Sequence, residues 1–187
     1  MLRRILPIAA FLLCSLSSRG QVGLLPKVAV FGGYSYANAD FTGVDRFSLN
    51  GWEASGSIRG NPFLGFKADF SGHYGTQNIP QLCPVGVPCN PQVNTHVYTY
   101  LFGPQISAPL PKITPFAHAL FGAAQLKASA FGGSAKDTSF GMALGGGLDY
   151  HFAPFLAWRV QGDFLQTRFF NDKQNNARFS TGLVLNF

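Results

Sequence analysis

From residue 27 to the C terminus, apolar and polar positions alternate with period two in eight stretches divided by turn-forming residues. The pattern predicts strands over 27–38, 47–60, 63–76, 95–108, 114–128, 138–152, 156–169 and 177–187, which nearly exhaust this part of the chain. Alternation also sorts faces. In the second stretch Trp52, Ala54, Gly56 and Ile58 share one side, and Glu53, Ser55, Ser57 and Arg59 the other. In the third, Leu64, Phe66, Ala68, Phe70 and Tyr74 oppose Lys67, Asp69, Ser71 and His73. The sixth sets Phe140, Met142, Leu144, Leu148 and Tyr150 against Gly141, Ala143, Gly145, Gly147 and Asp149. In the seventh, Trp158, Val160 and Phe164 face away from Arg159, Gln161 and Asp163. The fifth sorts poorly, because His118 falls in line with Phe116 and Leu120, which places it on the apolar face.

Period two alone leaves open whether the apolar face fills a core, as in a soluble barrel that binds a small apolar ligand, or meets lipid. Three features favour lipid. The polar face is rich in Gly, Ser and Ala, which suits a narrow eight-stranded interior. If the first strand starts on the inner side, Tyr34, Tyr36, Tyr74, Tyr98 and Tyr100 gather at one rim, and Phe66, Phe116, Tyr150, Phe152, Trp158 and Phe187 at the other. Amphipathic rings settle at the two membrane interfaces, so two girdles are expected of a spanning barrel. Connections also alternate in length: 60–62, 110–112 and 153–155 are short, whereas 39–46, 77–94, 130–137 and 170–177 are longer and polar. Lipid offers no hydrogen bonds to backbone groups, so a spanning sheet must close. The expectation is an all-β, eight-stranded antiparallel transmembrane β-barrel. An arginine at Ala54 or Leu144 is expected to harm assembly far more than a substitution at Asp172.

Composition agrees. Charged residues make up 12% of the chain, about half of what a soluble domain carries, with 22 Gly and 19 Phe. The N terminus reads as an export signal, with Arg3 and Arg4 ahead of the apolar run 5–16 and small residues 17–20 for cleavage. That run is too short to span a bilayer as a helix. Domains are therefore expected at 1–20, a removed signal, and 21–187, the barrel. Loss of the signal leaves 11 Lys and Arg against 8 acids, net +3, with no basic cluster to support nucleic-acid binding.

Candidate chemistry is sparse. Cys83 and Cys89 in CPVGVPC are expected to form a local disulfide in an oxidising compartment. A proline-rich loop over 77–94, stapled in this way, is the first candidate for an external ligand site. On the polar faces, Glu53, Asp69, Asp149 and Asp163 are expected to share the lumen with Arg59, Lys67, Lys127 and Arg159. This set reads as ion pairs filling a narrow interior, with an ion path as the alternative. No phosphate loop, HExxH, CxxC or GxSxG occurs, and His73, His96, His118 and His151 lack metal spacing. No catalytic residue, metal site or cofactor is expected. A lipid A-modifying enzyme is the rival functional reading.

The C-terminal run STGLVLNF (180–187), with Gly182, Leu185 and terminal Phe187, resembles the assembly signal of bacterial outer-membrane barrels. The stretches VFGGYSY (30–36), GWEAS (51–55), ADFSGHYG (68–75), TPFAHALFGAA (114–124) and MALGGGLDYHF (142–152) are similar to the OmpA-like, opacity-type outer-membrane β-barrel family of Gram-negative bacteria. The resemblance covers nearly all of residues 27–187. It implies a site in the cell outer membrane, outer-membrane lipid and the barrel-assembly machinery as partners, and a structural or adhesin-like role. No peptidoglycan-binding domain follows strand eight, so no cell-wall tether is expected.

Overall fold

The computed structural model describes residues 27–39, 47–78, 92–130, 133–169 and 172–187. Eight strands follow in order: β1 (Lys27–Ala39), β2 (Phe47–Arg59), β3 (Leu64–Asn78), β4 (Gln92–Ser107), β5 (Ile113–Ala130), β6 (Gly133–Ala153), β7 (Leu156–Phe169) and β8 (Asp172–Asn186). Each pairs antiparallel with its chain neighbours, and β8 pairs with β1, so the sheet closes without an edge. A lateral path starts at Val28 and crosses Ile58, Phe66 and Pro104, then continues through Ala119, Leu144, Phe164 and Ala177. It re-enters β1 at Asn38, ten residues beyond its start. That stagger sets the tilt of the strands and a narrow bore.

The step from Pro104 to Ala119 is the one interruption of this path, lying between the pairs Phe102–Phe121 and Gln105–His118. Proline has no N–H to give to the ladder. Closure itself depends on glycine. A Cβ on Gly182 would sit 2.3 Å from the Gly32 carbonyl oxygen and 2.4 Å from the Gly33 Cα, and a Cβ on Gly33 would meet the Thr181 carbonyl oxygen at 2.2 Å. The register pairs Gly33 with Gly182, so two missing side chains let the first and last strands approach.

The facing follows the alternation. Leu144 and Phe164 are 45% and 47% exposed and point away from the lumen, as do Ile58, Phe66, Phe102, Leu148, Val160 and Leu183. This removes the soluble barrel with an apolar interior. Outward tyrosines and tryptophans bond across strands through their polar tips, while outward phenylalanines such as Phe102, Phe121 and Phe164 fill the face between the two ends. At the turn end, Trp158 Nε1 donates to Thr181 Oγ1 at 2.8 Å. At the loop end, Trp52 Nε1 donates to the Tyr74 hydroxyl at 3.3 Å, Tyr36 bonds Ser48 at 2.7 Å, and the Tyr34 hydroxyl donates to Asn50.

Two expectations need correction. Phe116 does not belong to a lipid-side girdle, and His118 is not on the apolar face. Both point inward and are buried, together with Leu120. The interior therefore contains apolar layers as well as polar ones. Ala29, Phe31, Ala157 and Val184 close the turn end, while Ala37, Leu49, Val97, Ala124 and Leu126 close the loop end. Leu101, Leu120, Ala143 and Leu165 line one wall between them. The outer connections also differ from expectation. β5 and β6 pair out to Ala130–Gly133, and β7 and β8 to Phe169–Asp172, so the stretches 130–137 and 170–177 are mostly strand.

Candidate functional site

Between the apolar layers lies a connected charge network, and Arg178 is its centre. This side chain is fully buried. Its Nη1 donates to Asp69 Oδ1 at 2.9 Å, its Nη2 lies 2.7 Å from Asp163 Oδ2, and its Nε is 3.6 Å from Glu53 Oε2. Three strands, β2, β3 and β7, thus each send a carboxylate to one guanidinium on β8, whose planar fork can serve several carboxylates at once. Lys67 lies 3.2 Å from Asp69 and 3.6 Å from Glu53. Neutral donors complete the carboxylates: Gln161 Nε2 and the Ser180 hydroxyl each donate to Glu53 at 2.6 Å. His118 Nε2 lies 2.8 Å from Asp163 Oδ1. Ser35 bonds both Ser180 and His73, at 2.8 and 2.9 Å. Buried charges of this kind survive only when paired and hydrogen-bonded, and this arrangement supplies both.

A second pair sits nearer the turn end. Arg159 donates from Nε and Nη2 to the two oxygens of Asp149 at 2.7 and 2.8 Å, a bidentate fork. Its guanidinium carbon lies 4.5 Å from the centre of the Phe116 ring and 5.1 Å from that of Phe31. The guanidinium thus packs against both inward aromatic rings while it holds Asp149.

Of the eight charges expected in the lumen, six meet there: Glu53, Lys67, Asp69, Asp149, Arg159 and Asp163. Lys127 does not. It is exposed on the outward face of β5 with its ammonium 5.6 Å from the Tyr98 ring centre. The physical reason is parity: Ala124 and Leu126 point inward, so Lys127 must point out. Arg59 lies half-buried on the inner side at the end of β2, away from the central network. Arg178 was the residue the sequence reading missed, although Arg178 and Ser180 alternate with Phe179 and Leu183 in the same way as residues on the other strands. The predicted strand over 177–187 contains this run, but the faces of that strand are left unsorted.

His73 and His118 are buried in the lumen, His151 bonds Thr114 at 3.0 Å, and His96 stands edge-on to the Tyr74 ring on the outward face. No group of three or more potential metal ligands occurs among the described residues. Gly182 sits at the closing seam, and Leu185 and Phe187 are exposed on the outward face at the turn end. Cys83 and Cys89, and the leader 1–20, lie outside the described residues.

Comparison with known proteins agrees with this architecture. A search of curated protein sequences finds no match. Among solved structures, Ail, the attachment invasion locus protein of Yersinia pestis, superposes with a TM-score of 0.62 at 16% identity, covering 87% of this chain and 99% of Ail. Neisserial surface protein A gives 0.63 at 13% identity, covering 86% and 97%. The outer-membrane protein OprG of Pseudomonas aeruginosa gives 0.56 at 9% identity, covering 87% and 96%. At such identities the likeness concerns the fold. The family model for the outer membrane protein beta-barrel domain matches residues 7–187. With its closed eight-stranded sheet and lipid-facing apolar surface, the chain belongs to that family and resides in the cell outer membrane.

Proposed function

We propose that this protein is a non-conducting outer-membrane barrel that acts as a structural element and a surface-interaction, adhesin-like protein, without catalysis. The observation that carries this reading is the filled interior. Glu53, Lys67, Asp69 and Arg178 are at most 1% exposed, between apolar layers at both ends. A lumen packed in this way has no room for a substrate or a hydrated ion, and eight strands are few for an aqueous channel. The surface left for a partner is the loop end, where the chain places its longest strands and the segment 79–91 that carries Cys83 and Cys89. A disulfide within that segment would reduce the entropy lost when a partner binds. Residues 1–20 act in this reading as an export signal. Gly182, Leu185 and Phe187 present the terminal strand to the assembly machinery.

The test is adhesion. The full chain is displayed on a non-adherent Gram-negative host, and attachment to cultured epithelial cells is compared with a variant lacking residues 79–91. Attachment that rises several-fold with the full chain and falls to background with the deletion is the expected result. Equal attachment by both, at matched surface levels, would remove the adhesin role.

A further inference from the structure

The wall of the barrel opens at the loop end. β6 pairs with β5 over its whole outer part, from Ala123–Phe140 to Ala130–Gly133. Its pairing with β7 stops at Gly141–Thr167, although β7 continues to Phe169. Residues 133–140 thus have β5 on one side and no described strand on the other. Backbone N–H and C=O groups along such an edge need partners, and lipid supplies none. This part of β6 therefore stands clear of the hydrocarbon, within reach of molecules outside the cell.

The fork where β6 and β7 part is a cleft of about 350 Å³ lined by Phe140, Gln166, Thr167 and Arg168. Phe140 is 61% exposed there. Gln166 turns away toward β8, where its Nε2 donates to Asn175 Oδ1 at 3.0 Å. Lys136 on the edge and Arg168 on the far lip are both exposed on the outward side. Neither forms an ion pair with a described residue, and Asp137 alternates to the inner side. Two unpaired cations thus flank a cleft that has an aromatic lining and an unpaired strand for its wall.

Each of these features selects the occupant. Eight residues of strand extend about 27 Å, enough to pair with a segment of similar length. An added strand takes main-chain hydrogen bonds from the edge and sets alternate side chains on one face. On the outward face those side chains lie beside Lys136, Thr138 and Phe140, where carboxylates and an apolar group fit. A second copy of the same edge does not fit, because Lys136 and Arg168 would meet cations like themselves. A polyanion that is not a peptide would use the two cations but leave the edge unpaired.

We infer that the β6 edge 133–140 and the cleft at its foot are a docking site for an acidic, extended peptide segment of an external protein, added beside β6 as a further strand. The inference deepens the surface-interaction reading and rests on it for the partner's biological setting, not for the binding itself. Should displayed barrels fail to attach to cells while purified barrel still binds peptide, the adhesin role goes and this site stays.

The test uses the full-length barrel in detergent and eight-residue peptides with blocked ends. One alternates glutamate with valine, and a second alternates lysine with valine. A third keeps the glutamates but has proline for valine, whose fixed φ and missing N–H break a ladder. Affinity is read by fluorescence anisotropy, and backbone pairing by hydrogen exchange over 133–140. The glutamate–valine peptide should bind and slow exchange in 133–140, and the other two should do neither. Lys136→Ala and Arg168→Ala should each weaken binding, by up to about fivefold, as for an exposed ion pair. Lys136→Arg should retain it, and Lys112→Ala in a turn at the opposite end should leave it unchanged. Four outcomes would each overturn the inference: no binding of the glutamate–valine peptide, equal binding of the proline peptide, unchanged binding in the Lys136→Ala, Arg168→Ala double variant, or exchange in 133–140 that slows with barrel concentration alone, which would assign the edge to a second copy.

Discussion

At the scale of single residues, position in the barrel wall decides what a charge does. Arg178 and Lys127 are both cations on strands of the same sheet, yet one is buried against Asp69, Asp163 and Glu53, and the other covers a tyrosine ring in the open. Removing a partner from a buried ion network costs about 3–5 kcal/mol, because the remaining charges stay desolvated. An exposed cation–π contact is worth about 0.5–1 kcal/mol. Arg178→Ala is therefore expected to lower stability by about 3–5 kcal/mol, and Lys127→Ala by no more than about 1 kcal/mol. Urea unfolding in detergent, followed by tryptophan fluorescence, measures both. Comparable losses would show that Arg178 is not the centre of the interior.

At the scale of elements, the seam between β1 and β8, which closes the sheet, depends on the absence of two side chains. Gly182 faces Gly33 so closely that one added methyl meets backbone at 2.3 Å. Backbone atoms cannot move aside as a flexible side chain does, and overpacking of this kind costs about 1–3 kcal/mol. Gly182→Ala is expected to lower the unfolding midpoint and slow refolding, whereas alanine at Gly56, whose Cβ would meet nothing within 4 Å, should be neutral within error. Refolding kinetics in lipid vesicles distinguish the two. The lipid face gives a second contrast: arginine at Leu144, near mid-depth, should cost about 2–4 kcal/mol of membrane-integrated stability, and the same change at Thr138 on the outer part of β6 about 0–1 kcal/mol.

The elements also show how far period two could be followed by reading alone. The second, third, sixth and seventh strands sort correctly because small and charged residues on one side oppose large apolar ones on the other, as with Lys67, Asp69 and Ser71 against Phe66, Ala68 and Phe70. β5 does not, since Phe116, Leu120 and Leu126 fill the interior while Ala117, Ala119 and Phe121 meet lipid, and both faces are apolar. No local rule separates two apolar faces. The inward layers they build became visible only when β5 was set beside β4 and β6. Arg178 escapes for a different reason: the predicted strand over 177–187 contains it, but with Gln174 and Asn176 outside that range its polar face shows only Arg178 and Ser180 ahead of Gly182 and Val184.

For the whole molecule, the order of layers along the bore carries the functional conclusion. An ion entering from the loop end meets Leu49, Val97 and Leu126, then the network around Arg178, then the Arg159–Asp149 pair packed against Phe31 and Phe116, and last Val184 and Ala157. The layers block by two means, dewetting at the apolar ones and charge pairing at the others. Opening one layer should therefore leave the barrel shut. In planar bilayers the wild-type protein is expected to give no discrete conductance steps, and Leu49→Ser with Leu126→Ser should also stay silent. Adding Arg178→Ala to these changes removes the central plug as well, and steps should then appear provided the gel-mobility assay still reports a folded barrel. Steps from the wild type, or from the loop-end double variant alone, would mean that the charged middle is a path and not a seal, and the surface-protein reading would give way to that of a small pore.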